Sequence, residues 1–209
     1  QKWQSAKFQI LLIQKRSMRV VTFDIETANA FPSLARNDLA RMEISIVGIH
    51  DSETDEYTSY TKEEFPQLWP ILERADMLIG FNSDTFDIPI LNRYYPGDLT
   101  SIRSLDLLVE VQKVLGRRVR LQSLAEATLK KGKGGNGLQA VEWWQQGLVD
   151  KVRKYCLEDV KITRELYDYA LKQGALKYKD LNSAREFKID TSSWTESQGA
   201  STMTHTLPF

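Results

Sequence analysis

Two acidic side chains lie near the end of an otherwise apolar, β-branched stretch, Val20–Thr27. Short runs rich in Val, Ile and Thr predict a buried strand, and in a strand Asp24 and Glu26, two residues apart, share one face. Like charges that close raise each other's pKa unless a positive charge lies between them. The pair therefore predicts a divalent cation bound by oxygen ligands. A solvated acidic pair at the exit of the strand is the alternative interpretation.

A third acidic residue, Asp87, ends a loop that follows another apolar run. Residues 76–81 predict a buried strand, and the loop after it extends from Asn82 to Asp87. Asp87 also precedes a predicted helix, 88–95, and Asp is a favoured N-cap residue. On this segment alone, the N-cap role is favoured over metal binding, and Asp84 and Asp106, which also lie at helix starts, are predicted as helix caps.

The fourth acidic residue lies on a predicted long helix. Residues 150–173 place apolar side chains at helical spacing, and Tyr155 and Asp159, four residues apart, share one face of this helix. That face borders the apolar stripe, so we expect both side chains near the edge of the core. One alternative pairs Asp159 with Lys161 or Arg164 at the surface. Another places Tyr155 in the core with its hydroxyl at the rim.

Together these segments resemble the three exonuclease motifs of the DEDD family, tyrosine subclass. The motifs are Phe23-Asp24-Ile25-Glu26-Thr27, Asn82-x-x-x-Phe86-Asp87 and Tyr155-x-x-x-Asp159. Their order, local spacing and aromatic residues are similar to those of the proofreading exonuclease domains of B-family DNA polymerases and their stand-alone relatives. The resemblance covers about residues 18–172, and it implies an RNase H-like fold in which the acids meet at the edge of the sheet.

The resemblance also implies a reaction and a role for each motif residue. It implies hydrolysis of phosphodiester bonds with two divalent cations, Mg²⁺ or Mn²⁺. Asp24 is implied to bridge both cations, and Glu26 and Asp159 to bind the one that carries the attacking water. Asp87 is implied to bind the cation at the leaving group, and Tyr155 to orient the water or help deprotonate it. The expected activity is a 3′→5′ exonuclease that releases nucleoside 5′-monophosphates.

Three further motif residues, Thr27, Asn82 and Phe86, are predicted to bind the substrate, the 3′ end of a single-stranded nucleic acid. Asn82 and Phe86 are expected to line the pocket for the terminal nucleotide, with Phe86 stacking on a base. Phe86 has an alternative role as a core residue. DNA is the expected substrate. Because no residue in the sequence can be assigned to recognition of a 2′-hydroxyl, RNA stays a possible substrate. A second possible function is an RNase H-like module that binds nucleic acid or protein without cleaving.

Composition limits the protein to ordinary globular classes. The 209 residues suffice for one domain, and 28 Lys+Arg balance 28 Asp+Glu, so nucleic acid must be bound by local basic patches. One cysteine and 2 histidines exclude an intrachain disulfide and argue against structural zinc. No apolar run spans a membrane, and the start lacks a signal-peptide core. We expect a soluble protein in a reducing, cytoplasmic or nucleoid-associated setting.

The element order predicts one α/β domain with a mixed five-stranded sheet, an antiparallel hairpin within 43–60, and flanking helices. Residues 1–17 are predicted as an N-terminal arm or extra strand, 18–180 as the RNase H-like exonuclease domain, and 181–209 as a polar C-terminal tail. The length is too short for a polymerase, which predicts a stand-alone nuclease or an excised domain.

Outside the motifs, several features have two interpretations. The basic clusters at 116–120 and 130–133 either grip phosphates or form solvated turns. The aromatic pair Trp143 and Trp144 is expected to pack in the helical layer, Cys156 to be a small core residue, and the histidines to have no role. Residues 204–209 faintly resemble the hydrophobic peptides that dock on sliding clamps, which suggests a replication or repair partner, but a disordered tail is favoured.

Overall fold

The computed structural model of the protein describes residues 17–31, 36–132, 137–180 and 183–196. The predicted N-terminal arm before residue 17, residues 133–136 of the basic loop, His205 and the C-terminal peptide lie outside these ranges. Within them, no helix combines the length and the apolar character needed to cross a bilayer.

Five strands form one mixed sheet in the order β3-β2-β1-β4-β5. β1 (Val20–Thr27) pairs antiparallel with β2 (Ile44–Asp51) and parallel with β4 (Met77–Gly80). β2 continues through a tight turn into β3 (Glu56–Tyr60), and β4 pairs parallel with β5 (Ser104–Asp106). The predicted α/β architecture, a five-stranded mixed sheet with an antiparallel hairpin, is confirmed.

Helices cover both faces of this sheet. In chain order they are α1 (Arg36–Leu39), α2 (Phe65–Glu73), α3 (Asp87–Leu91), α4 (Leu107–Leu115), α5 (Leu121–Leu124), α6 (Gly137–Gln145) and α7 (Val149–Gln173). After α5 the chain continues as a π-helical segment, Ala125–Leu129. The helix predicted over 88–95 ends earlier, at Leu91.

The central strand β1 is covered on both faces, which explains its apolar sequence. Val21, Phe23 and Ile25 pack into the core on one face. Asp24 and Glu26 leave the strand on the other face, which α7 crosses, as the contact between Cys156 of α7 and Asp24 shows. This alternation follows from the two-residue repeat of a strand.

Helix α7 lies unusually close to the sheet at Gly48 of β2. A Cβ atom at this position would lie 2.8 Å from Cys156 Sγ and 3.2 Å from a methyl group of Val160. Since such distances are shorter than van der Waals contact, only glycine allows this approach without displacing the helix. Helix α7 therefore packs on the sheet through the apolar stripe from which it was predicted. This packing places the polar residues of α7 beside β1.

The C-terminal segment differs from the predicted tail. Strands β6 (Ala175–Asp180) and β7 (Ser183–Lys188) form a second hairpin, and Phe187, Ile189 and Trp194 are buried in the main core. Trp194 stacks on a tyrosine of α7 with ring centroids 5.5 Å apart. The prediction of a polar tail from residue 181 is wrong for 183–196, because three buried apolar side chains, the pairing of β7 with β6 and hydrogen bonds from Arg103 to main-chain oxygens hold this polar stretch against the domain.

Candidate active site

The acidic pair of β1 emerges beside α7, close to the end of the strand. Glu26 is only 6% exposed, and the register with β2 shifts between Glu26 and Thr27. The Thr27 hydroxyl donates a hydrogen bond to the main-chain oxygen of Asn29 at 2.8 Å, which fixes the chain as it leaves the sheet. The prediction that Asp24 and Glu26 share one face is confirmed, and the alternative of a freely solvated pair does not hold for Glu26.

Asp87 is tied directly to this strand. β4 pairs with β1 only as far as Thr22, and beyond that point the Ile25 N–H donates to Asp87 Oδ1 at 3.1 Å. The Asp87 carboxylate therefore contacts β1 between the two acids. The N-cap interpretation is wrong, because Phe86 holds the cap position of α3 and Asp87 is the first helical residue.

The loop that delivers Asp87 is held by a residue that the sequence suggested only as a helix cap. Asp106 accepts hydrogen bonds from the N–H of Asn82 at 2.8 Å and of Asp84 at 3.1 Å. It also caps α4 as predicted, accepting from Leu108 N at 2.9 Å. Asp84, predicted as a cap, instead accepts from the Ser104 hydroxyl at 2.6 Å. Asp106 thus positions the loop, a role that depends on tertiary contacts.

Tyr155 and Asp159 face the acidic pair from α7. The Tyr155 hydroxyl lies near the Asp159 carboxylate and interacts with it, and the indole ring of Trp143 packs edge-on against the phenol with centroids 6.1 Å apart. Arg164 pairs with Asp168 at 2.8 Å, so the alternative ion pair with Asp159 is not formed. Trp143 lies in the helical layer, as predicted.

Four carboxylates therefore converge from three elements: Asp24, Glu26, Asp87 and Asp159. Burial, followed by repulsion from the other three, raises the pKa of Asp24 well above its usual value. Burial, then Asp159 and Asp87, does the same to the pKa of Glu26. Burial raises the pKa of Asp87 to about 7, against the opposing hydrogen bond from Ile25, and raises the pKa of Asp159 to about 6.

The chemistry of this donor set fits a divalent cation. Among the residues that the structure describes, no ion pair involves any of the four carboxylates, and burying uncompensated negative charge is costly. Hard oxygen ligands are those that Mg²⁺ and Mn²⁺ prefer. The four carboxylates therefore fit the cation site that the sequence predicts.

Cys156 also lies in this cluster. Its thiol is buried and is 3.4 Å from the main-chain oxygen and 3.7 Å from Oδ2 of Asp24. Ligand atoms of Asp24, Glu26 and Cys156 all lie within 4.8 Å of one another. Burial and the neighbouring carboxylates raise the pKa of the thiol. The predicted core position is confirmed, but its contact with the acidic pair was not expected from the sequence.

A cavity of about 1000 Å³ opens in front of the acids. Asp24, Glu26, Asp159 and Tyr155 line one part of it, and Thr27 lies at its edge. The other lining residues are apolar, cationic, polar and, in Glu126, acidic; they include Phe31, Met42, Phe86, Arg120, Leu138 and Lys179. A space with acids at one end and apolar and cationic side chains around it can admit a nucleotide.

The predicted substrate residues divide between two neighbouring cavities. Thr27 and Phe86 line the cavity of the acids, although Phe86 also packs against the core, so both of its predicted roles have a structural basis. Asn82 lines a second cavity of about 530 Å³, where its Oδ1 accepts from Arg118 at 2.5 Å. Arg120 lines both cavities.

The basic clusters contribute unequally. Arg117 lies over the ring of Tyr178 at 5.0 Å, and Lys131 pairs with Glu165 at 2.6 Å, whereas Arg120 is exposed at the cavities. Lys179 and Leu138 line the acid cavity but belong to none of the motifs, and only the folded hairpin β6–β7 and helix α6 bring them there. His50, given no role, is buried and bonds Asp55 at 2.9 Å.

The fold and the acidic site place the protein in a known class. A family model described as the RNase_H superfamily matches residues 21–171, more than two thirds of the 209-residue chain. The chain therefore belongs to the RNase_H superfamily, and its sheet and helices form an RNase H-like domain. Among curated proteins, a search found no match.

Similarity to solved structures agrees with this fold. The family B DNA polymerase from the hyperthermophilic archaeon Pyrobaculum calidifontis superposes with a TM-score of 0.56 at 17% sequence identity. The match covers 74% of this chain and 24% of the polymerase chain, so the protein spans about a quarter of that structure. At this identity the likeness concerns the fold alone.

Proposed function

We propose that this protein is a metal-dependent 3′→5′ exonuclease of the DEDD family, tyrosine subclass, with DNA as the preferred substrate. The observation that carries the proposal is the convergence of four carboxylates from β1, α3 and α7, each with a raised pKa, beside a phenol. Membership of the RNase_H superfamily supports hydrolysis of a phosphodiester over other reactions that acidic sites perform.

In this proposal the carboxylates hold two divalent cations, Mg²⁺ or Mn²⁺. When bound, such cations activate a water molecule and stabilise charge on the phosphate and on the leaving oxygen. Asp24, whose carboxylate is repelled by all three other acids, would be a ligand shared by the two cations. Glu26 and Asp159 would hold the cation that activates the attacking water. Asp87, which accepts a hydrogen bond from Ile25 N–H, would hold the cation that stabilises the leaving oxygen.

Tyr155 orients the attacking water. Burial and the nearby carboxylates raise the pKa of its phenol, so the hydroxyl keeps its proton at neutral pH and acts as a hydrogen-bond donor and acceptor. Its interaction with Asp159 and the packed indole of Trp143 limit the positions that the hydroxyl adopts. This favours orientation of the water over removal of its proton.

The cavity supplies the substrate site. Phe86 offers a ring for the terminal base and Arg120 a cation for a phosphate, while Thr27 and Asn82 flank the path of the strand. A single-stranded 3′ end is the proposed partner, in a replication or repair setting and in a cytoplasmic or nucleoid-associated location. The C-terminal residues remain the proposed contact for a protein partner.

Labelled oligonucleotides test this function. Single strands of DNA and RNA carrying a 3′ or a 5′ label are incubated with Mn²⁺, Mg²⁺ or EDTA. We expect stepwise shortening from the 3′ end that requires metal, releases nucleoside 5′-monophosphates and is faster on DNA. Binding without cleavage in any metal contradicts the proposal and favours a binding module.

The variant Tyr155→Phe tests the role of the hydroxyl. Because the ring and its packing remain, we expect kcat to fall by about tenfold to a hundredfold while KM changes little. Single-turnover rates with matched binding measurements separate the two quantities. An unchanged kcat removes Tyr155 from the mechanism and leaves the carboxylates in place.

A further inference from the structure

A thiol lies against the acidic cluster, and the function proposed above does not use it. Cys156 Sγ is 3.7 Å from Asp24 Oδ2, and with a carboxylate oxygen of Glu26 the ligand atoms lie within 4.8 Å of one another. Two oxygens and one sulfur differ from a set of carboxylates alone. Thiolates select soft or borderline cations such as Zn²⁺, whereas Mg²⁺ and Mn²⁺ prefer oxygen ligands.

A second observation points to a cation at the same place. Glu26 is only 6% exposed, and its carboxylate has no hydrogen bond or ion pair with any described residue. An unpartnered, buried carboxylate is unfavourable unless a positive charge joins it. Glu26 therefore lies near the thiol and Asp24 with carboxylate oxygens that can bind a cation.

The one distance that can be compared agrees with tetrahedral binding. With Zn–S bonds of about 2.3 Å and Zn–O bonds of about 2.1 Å, a tetrahedral ion separates its sulfur and oxygen ligands by about 3.6 Å. The observed distance from Cys156 Sγ to Asp24 Oδ2 is 3.7 Å. A cation can thus replace the thiol proton between these two atoms with little movement, entering from the cavity that Asp24 and Glu26 line.

We propose that Asp24, Glu26 and Cys156 form a thiophilic cation site that binds Zn²⁺ or Cd²⁺ in competition with Mg²⁺ or Mn²⁺. Binding transfers the thiol proton to solvent, and the sulfur binds as the thiolate. The competition rests on the proposed function, because Asp24 and Glu26 serve both sites. Low concentrations of Zn²⁺ then inhibit the nuclease by occupying its ligands.

A spectroscopic titration tests this site without any activity measurement. The chain has 1 cysteine, so a thiolate-to-metal charge-transfer band on addition of CdCl₂ can arise only from Cys156. The full chain is titrated with CdCl₂ in a buffer free of other divalent cations and containing a reductant without thiols. We expect a near-ultraviolet band that saturates at one Cd²⁺ per chain and is absent from Cys156→Ala and Cys156→Ser.

Variants that keep the thiol test the two carboxylates. In Glu26→Gln and Asp24→Asn we expect the Cd²⁺ dissociation constant to rise at least about tenfold. Glu158→Gln is the matched control, since Glu158 is an exposed acid on the same helix, and its affinity should equal that of the wild type. Circular dichroism checks the fold of each variant. These carboxylate variants also decide the question if the cysteine variants fail to fold.

Each result bears on the proposal. The absence of a band, or a Cd²⁺ affinity unchanged in Glu26→Gln and Asp24→Asn, overturns the site. A Cd²⁺ affinity that saturating Mg²⁺ does not lower overturns the competition. A protein that binds Cd²⁺ as expected but cleaves no nucleic acid contradicts only the proposed function, and one that cleaves but gives no band contradicts only the thiophilic site.

Discussion

The two ends of β1 both carry buried charge, and they differ in how that charge is compensated. Just before the strand, Arg19 is 7% exposed and donates to both carboxylate oxygens of Asp51, at 3.0 and 2.5 Å. Glu53 lies 2.6 Å from the same guanidinium. Near the other end, Asp24 and Glu26 are surrounded by further acids, and within the described ranges neither forms an ion pair.

The carboxylate pKa values shift in opposite directions at the two ends of β1. The hydrogen bond to Asp51 raises the pKa of Arg19. Burial alone would raise the pKa of Asp51, but the hydrogen bonds from Arg19 and from Glu53 N–H lower it. The charged forms of Arg19 and Asp51 are thus favoured, whereas burial and repulsion disfavour the charged carboxylates at the acidic end. Burial is common to both places, and among the described residues the carboxylates of the acidic end are the ones without a positively charged partner.

The largest effect is expected at the acidic end. Asp24→Asn removes the carboxylate that the other three approach, and we expect nuclease activity to fall by at least about a thousandfold. The metal-free variant should not be less stable, because a repulsive charge has been removed. Labelled-strand assays measure the activity, and urea unfolding measures the stability. Asp190→Asn, at an exposed acid, is the control and should retain wild-type activity; equal activity in Asp24→Asn would contradict the site.

The opposite outcome is expected for Asp51→Asn. This variant leaves the buried Arg19 with the exposed Glu53 as its remaining ion-pair partner among the described residues, and removing one member of a buried pair costs about 3–5 kcal/mol. Since Glu53 remains, we expect a loss of about 3 kcal/mol in the free energy of unfolding, measured in urea. Nuclease activity per folded molecule should be unchanged. A loss below about 0.5 kcal/mol would mean that the pair does not hold the start of β1.

The acidic end could largely be predicted from sequence because its signals are local. A β-branched run interrupted by Asp24 and Glu26 specifies both a strand and a shared face, and the four-residue spacing of Tyr155 and Asp159 specifies one helix face. Asp87 was expected beside the other acids only through the resemblance to the three motifs. On its own segment, N-cap preference favoured another role, and the hydrogen bond from Ile25 that places Asp87 against β1 joins residues 62 positions apart.

The rest depends on contacts between distant segments. Cys156 and Asp24 are 132 positions apart, and their contact requires the close packing that Gly48 permits. The pair of Arg19 and Asp51 spans 32 positions. The hairpin strand β7 has no apolar alternation to reveal it, because only one of its side chains, Phe187, is buried. Such features leave no periodic pattern in the chain, so propensity and motif arguments do not find them.

The acidic end of β1, where Asp159 of α7 meets the strand, should make the stability of the metal-free protein depend on pH. The pKa of Asp159 is about 6 in the fold against the ordinary 3.8, so the native state binds more protons than the unfolded chain between these values. Stability is therefore lost as pH rises from about 4 to about 6, by at most about 3 kcal/mol. Metal-free Asp159→Asn should lack this loss.

Urea unfolding of the wild type and of Asp159→Asn from pH 4 to pH 8, without metal, measures the difference between the two proteins. We expect the variant to match the wild type near pH 4 and to be more stable at pH 7. Mn²⁺ should stabilise the wild type more at pH 7 than at pH 5, because it binds the ionised carboxylates. A difference that is constant with pH would show that burial of Asp159 does not disfavour its charge.

Substitutions that conserve charge give the smallest and sharpest comparison. Arg19→Lys keeps the positive charge but loses the fork that meets Asp51 and Glu53 together, so we expect a loss of about 1 kcal/mol in stability and no change in activity per folded molecule. Glu26→Asp keeps the negative charge but withdraws it by one methylene, and we expect about tenfold lower activity with stability unchanged within about 0.5 kcal/mol. Urea unfolding and strand shortening of both variants measure the four quantities. If Glu26→Asp lost stability and kept activity, the acidic end would be a structural site like the start of β1, because its geometry would then matter to the fold and not to a bound cation.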